Sequence, residues 1–214
     1  MSLAAHLTRT GIAWADDWLD ERDARRIREE LDFTFWKRSQ VLDRGPEGLH
    51  SRESTERTSE STNERWFTPK LRERVARIEQ RICLELDVEA ERLEPWQAVR
   101  YEPGGRFGIH HDGGSFADDP AGERVLTFLL CLQAPDAGGA TYFPELDLVV
   151  PPVVGRLIVW QNLTPSGEID ERMRHAATPV HQGRKVMLTT WSRQHAVPRP
   201  VTAEQVPADE PRTG

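Results

Sequence analysis

His110 and Asp112 close the segment Tyr101-Glu102-Pro103-Gly104-Gly105-Arg106-Phe107-Gly108-Ile109-His110-His111-Asp112. Successive side chains of a strand alternate between faces, so an extended backbone puts His110 and Asp112 on one side and His111 on the other. An imidazole nitrogen and a carboxylate oxygen held together are two of the three donors of a facial triad, which leaves open positions on a mononuclear iron. The third donor must come from farther along the chain. His175, in Arg174-His175-Ala176-Ala177-Thr178-Pro179-Val180, is the candidate, and Gly183-Arg184-Lys185 then places a cation where a dicarboxylate cosubstrate could be gripped.

Other readings exist for each residue. A lone His-x-Asp arises readily by chance, zinc tolerates the same donors, and a register shifted by one would bury His111 instead. His181 is a rival distal ligand, but Pro179-Val180 before it and Gly183 after it suggest a turn there. His6, His50 and His195 stand in polar or terminal contexts, where a solvated histidine is the ordinary explanation. Cys83, in a helical pattern, and Cys131, in an apolar strand pattern, read as small core side chains rather than a disulfide or zinc framework.

The elements that must position these groups can be read from spacing. Asp20 can cap a helix reaching about Leu31, with Ala24, Ile27 and Leu31 on one face. Thr68 as N-cap and Pro69 at the first helical position open a second helix, whose Leu71, Val75, Ile78 and Ile82 form one apolar stripe. Between the helices, Arg44 to Arg65 is rich in Ser, Thr, Glu and Arg and reads as a mobile, solvated loop. From Leu93 onward short β-type runs follow one another: Trp96–Tyr101, Arg106–Asp112, Arg124–Gln133, Ala140–Phe143, Leu146–Val150, Arg156–Trp160 and Lys185–Arg193. Such strands, joined by Gly- and Pro-rich turns, predict a mainly β sandwich or jelly roll with helices packed on a sheet.

With 214 residues, one domain is expected: helical support and a loop region over 1–92, a β core over 93–194, and a Pro-rich, disordered tail over 195–214. The formal charge of -7 opposes a nucleic-acid partner bound through its phosphates. No leader pattern is visible, and the longest apolar stretch, near Val125 to Leu132, is far too short to span a bilayer, so a cytoplasmic protein with no membrane partner is expected.

At the residues above the chain resembles the prolyl 4-hydroxylase-like branch of the Fe(II)- and 2-oxoglutarate-dependent dioxygenases. The pattern runs through Tyr101, Gly104, Phe107, His110, Asp112, Arg124, Thr127, Gly138-Gly139-x-Thr141, Pro152-x-x-Gly155, His175, Pro179-Val180, Gly183-x-Lys185 and Trp191. Upstream, Arg57-Thr58-Ser59 is similar to the family's substrate-covering loop, so the resemblance covers roughly Trp18 to Arg193. It implies a double-stranded β-helix (a cupin-like jelly roll) with helical support. It also implies that His110, Asp112 and His175 hold iron and that Lys185 pairs with the distal carboxylate of 2-oxoglutarate, with Tyr101 and Thr141 hydrogen-bonding it. Trp191 and Asn162 would shape the pocket floor and wall.

The chemistry the resemblance implies is oxidative decarboxylation of 2-oxoglutarate coupled to hydroxylation by dioxygen, with ascorbate as a reductant. Related halogenases replace the carboxylate with a small residue, so Asp112 points to hydroxylation. Phe107 departs from the family, standing where many members have Tyr. The expected substrate is a prolyl residue of a peptide or protein. A free or carrier-bound amino acid or other small metabolite is the enzymatic alternative, and a non-catalytic metal-binding barrel the alternative of another class. The sequence leaves the oligomeric state open.

Overall fold

The computed structural model describes residues 2–45 and 48–198, with backbone alone over 42–45 and 48–50. In chain order its main elements are α1 (Leu3–Thr10), β1 (Ile12–Ala15), α2 (Glu21–Leu31), β2 (Lys37–Arg38), β3 (Val41–Gly45), β4 (Gly48–Arg52), β5 (Arg57–Thr58), β6 (Glu60–Asn63) and α3 (Pro69–Leu86). There follow β7 (Gln97–Tyr101), β8 (Arg106–His110), β9 (Arg124–Gln133), β10 (Ala137–Gly138), β11 (Thr141–Phe143), β12 (Leu148–Val150), β13 (Leu157–Gln161), β14 (His175–Ala177), β15 (Val180–Gln182) and β16 (Lys185–Arg193).

The strands form a seven-stranded sheet, ordered β1-β13-β9-β16-β7-β6-β2, and a five-stranded sheet, ordered β12-β11-β14-β8-β5. Two two-stranded sheets, β10-β15 and the hairpin β3-β4, complete the described strands. Every recorded pairing is antiparallel, and the architecture is the jelly roll, or double-stranded β-helix.

Alternation along β9 and β16 sends successive side chains to two covered faces. Phe128, Leu130 and Leu132 of β9, with Val186 and Leu188 of β16, pack toward the helices. Their neighbours Thr127, Leu129, Lys185, Met187, Thr189 and Trp191 line the interior of the barrel. Neither face of β16 is solvated: all nine of its residues are buried, and its polar side chains serve the cavity or internal hydrogen bonds. Ala24, Ile27 and Leu31 of α2 join Leu71, Val75, Ile78 and Ile82 of α3 in the same core as these strands. The caps are those expected: the Asp20 carboxylate accepts from the Arg22 amide at 2.8 Å, and the Thr68 hydroxyl accepts from the Leu71 amide at 3.1 Å.

The structure corrects several expectations. The stretch from 44 to 65 is not one solvated loop: it supplies β4, β5, β6 and the end of β3. Pairing of β5 with β8 and of β6 with β7 satisfies its backbone groups, so order comes from ladder hydrogen bonds rather than apolar content. Asp112 lies beyond the end of β8 and not on a strand. The short elements α1, β1, β14 and β15 carried too little pattern to be foreseen. In the expected tail, the amides of His195 and Val197 donate to the carbonyls of Ala121 and Glu91 at 2.8 and 2.7 Å, while 199–214 lie outside the described residues. Among the described residues no helix is long and apolar enough to cross a membrane.

Candidate metal and cosubstrate site

Pairing of β14 with β8 sets His175 directly opposite His110, and the chain leaving β8 brings Asp112 back to the same point. His110 Nε2 lies 3.7 Å from Asp112 Oδ1, and His175 Nε2 lies 3.7 Å from Asp112 Oδ2. The three donor atoms fall within 4.8 Å of one another. Each imidazole is oriented from behind: Nδ1 of His110 donates to the Gly108 carbonyl at 2.9 Å, and Nδ1 of His175 to the Met173 carbonyl at 3.0 Å. A carbonyl only accepts, so both rings carry a proton on Nδ1 and turn Nε2 toward the cluster, the orientation of a metal-ligating histidine. His111 points away, with Nε2 3.1 Å from Glu171. His181 is exposed on β15 and outside the cluster.

The carboxylate is held as firmly as the rings. The Thr127 hydroxyl donates to Asp112 Oδ2 at 2.8 Å and itself accepts from Asn162 Nδ2 at 3.0 Å. Arg124 donates to the Asp112 carbonyl at 3.4 Å while its fork grips Glu94 through two bonds of 2.7 Å. Burial would raise the Asp112 carboxyl, but His175 and His110 outweigh it and keep it well below the usual carboxylate range. Burial, reinforced by the neighbouring His110, pushes His175 down to about 4, so it is a neutral donor at neutral pH. Two imidazole nitrogens and one ionised carboxylate fit an Fe(II) facial triad by donor type.

The cluster opens into a cavity of about 480 Å³. Lys185, 2% exposed, stands in its wall with no carboxylate within ion-pair distance among the described residues. Its ammonium lies 5.4 Å from the centre of the Tyr101 ring, which β7 holds opposite it in register. Burial pushes Lys185 down to about 8. A buried cation without a counterion is costly and is relieved by an anionic ligand. Thr141, also buried, lines the same cavity, so Lys185, Tyr101 and Thr141 can together meet a carboxylate.

The remaining expected residues divide. Arg57 lines the cavity, with its guanidinium 4.5 Å from the centre of the Phe107 ring, and Phe107 stacks on His110 at 3.7 Å. Arg57 Nε donates to Ser59 Oγ at 3.1 Å; Ser59 is buried behind the wall and Thr58 is exposed. Trp191 is part of the wall, its face 3.7 Å from the Arg124 guanidinium. Asn162 does not line the cavity; it stands behind Thr127, because β13 ends one residue before it and the chain turns inward there.

Residues 96–193 match the family described as the 2OG-Fe(II) oxygenase superfamily. The match runs from β7 to β16 and takes in the metal cluster and Lys185. Human prolyl 4-hydroxylase subunit alpha-3 is 31% identical over 191 residues, which is 86% of this chain and 34% of that protein. The chain spans about a third or less of the length of the curated relatives it matches. Among solved structures, a viral collagen prolyl hydroxylase from Paramecium bursaria Chlorella virus-1, in complex with 2OG, shares the fold with a TM-score of 0.63 at 22% identity, covering 88% of this chain and 97% of that one. A prolyl hydroxylase from Trichoplax adhaerens, in complex with a peptide fragment of the hypoxia inducible factor oxygen degradation domain, gives 0.63 at 15% identity, covering 90% and 87%.

In the sequence the supporting residues Arg124 and Thr127 stand out only as points of family likeness, with no role attached. Trp160 and Phe143, whose rings lie 4.7 and 5.5 Å from that of His175, had gone unnoticed. Thr127 faces both Trp160 and Trp191 in register. That row exists only across β13, β9 and β16, and nothing in linear spacing signals it.

Proposed function

We propose that the chain is a dioxygenase that uses Fe(II), 2-oxoglutarate and dioxygen to hydroxylate a prolyl residue of a peptide or protein. The observation that carries this reading is the joint presence, in one cavity, of the His110–Asp112–His175 cluster and a buried Lys185 without a counterion. When bound, the iron supplies the coupling of 2-oxoglutarate decarboxylation to insertion of one oxygen atom into a C–H bond. The protein's part is to orient and to exclude water. His110, Asp112 and His175 hold the metal, and Thr127 fixes the carboxylate. Lys185 neutralises the distal carboxylate of 2-oxoglutarate, with Tyr101 and Thr141 as hydrogen-bonding partners. The Phe107 ring, between Arg57 and His110, shields one side of the metal from solvent.

A peptide is favoured as substrate by the volume of the cavity, about 480 Å³, with polar residues such as Gln40, Asn63 and Gln97 in its lining, and by the peptide complex of the Trichoplax protein. The test is incubation with Fe(II), 2-oxoglutarate, ascorbate and air against proline-containing peptides and free proline, read by mass spectrometry and hydroxyproline analysis. A gain of one oxygen on a peptidyl proline is expected. Hydroxylation of free proline with every peptide untouched would overturn the peptide reading.

A further inference from the structure

Phe35 and Trp66 line the same cavity as the metal cluster, yet they are 59% and 46% exposed. Their rings tilt against each other with centroids 5.5 Å apart. Two large aromatic side chains left in water beside an open cavity are a binding surface rather than a misplaced core. We propose that Phe35 and Trp66 form a second subsite, which receives a proline ring of an extended substrate segment. This deepens the prolyl-hydroxylase reading above and rests on it.

Strand register gives the spacing. Asn63 of β6 pairs with Gln97 of β7, and Gln97 with Thr189 of β16, and all three line the cavity. Two strand spacings separate Asn63 from Thr189, about 10 Å, and Trp66 follows Asn63 by one short 3-10 turn. An extended polyproline II segment rises about 3.1 Å per residue, so about three of its residues span that width of the cavity wall.

The chemistry around the rings selects that kind of segment. Gln40, Asn63 and Gln97 line the same wall, and their carboxamides both donate and accept. A polyproline II backbone has no internal hydrogen bonds and presents its carbonyls outward, whereas a helix has already satisfied them. Aromatic faces flanked by hydrogen-bonding side chains are the general means of capturing proline-rich peptides.

The test is equilibrium binding of a fluorescein-labelled oligoproline decapeptide, and of a Gly-Ser peptide of equal length, to the full chain loaded with Mn(II) and 2-oxoglutarate. Wild-type protein should prefer oligoproline, and Phe35→Ala or Trp66→Leu should weaken that peptide roughly tenfold. Trp66→Phe should restore much of the loss, and Leu84→Ser, at a distant exposed position on α3, should bind as wild type does. Equal binding of the two peptides by wild-type protein, or unchanged oligoproline affinity in the folded variants, would overturn the subsite. Binding is read without turnover, so the two ideas fail separately. Hydroxylated peptide with Phe35-independent binding removes the subsite alone, and Phe35-dependent binding with no peptidyl hydroxylation removes the reaction.

Discussion

The carboxylate of Asp112 is held through a chain of partners. Thr127 donates to one of its oxygens, Asn162 braces Thr127, and Arg124 holds its backbone. Removing the hydroxyl in Thr127→Val frees the carboxylate to rotate, and Mn(II) or Co(II) affinity should drop by roughly 10–100-fold; Thr127→Ser should recover it. Lys185 makes a pH prediction. Its folded pKa, about 8, lies below the ordinary lysine value because of burial, so between the two the unfolded chain binds more protons and stability rises with pH. In the protein without cosubstrate, Lys185→Met should therefore raise the melting midpoint at neutral pH by a few degrees. Binding of 2-oxoglutarate, read by calorimetry, should weaken above about pH 8 as the ammonium deprotonates, and should be lost in Lys185→Met.

The helices show which parts of a fold are written locally. Asp20, Thr68 and Pro69 mark the starts of α2 and α3, and the stripe Leu71–Val75–Ile78–Ile82 marks the buried face, because caps and periodicity act within a few residues. β14 and β15 have three residues each, with Thr178-Pro179 between them, and exist only through their partners β8, β11 and β10. The polar run before α3 misled for the same reason: edge strands are ordered by pairing, which composition does not record. His110, Asp112, His175 and Lys185 stand out because their types carry the chemistry; the roles of Thr127 and Asn162 behind the carboxylate do not, because they lie in cross-strand geometry. The β10–β15 pair depends on Gly138, whose φ is +77° and whose added Cβ would collide with the Pro179 carbonyl. Gly138→Ala should lower stability by about 2 kcal/mol or more in urea unfolding, whereas Gly167→Ala, with open space around it, should cost only the strain of its positive φ.

For the whole molecule, the helices pack on one sheet while the other carries His110 and His175 to a shared cavity. Metal and cosubstrate should therefore stabilise the entire fold: saturating Mn(II) with 2-oxoglutarate, at about a hundred times the dissociation constant, should add about 2.7 kcal/mol. The same logic makes the cluster and Lys185 one functional unit. The most direct measurement is succinate formed and oxygen consumed by purified protein with Fe(II), 2-oxoglutarate and a proline-containing peptide. We expect the two in equal amounts in the wild type, abolished by a chelator, Asp112→Ala or His175→Ala, and retained in His181→Ala. Succinate formation that survives Asp112→Ala, or its absence from wild-type protein with bound iron and 2-oxoglutarate, would contradict the assignment.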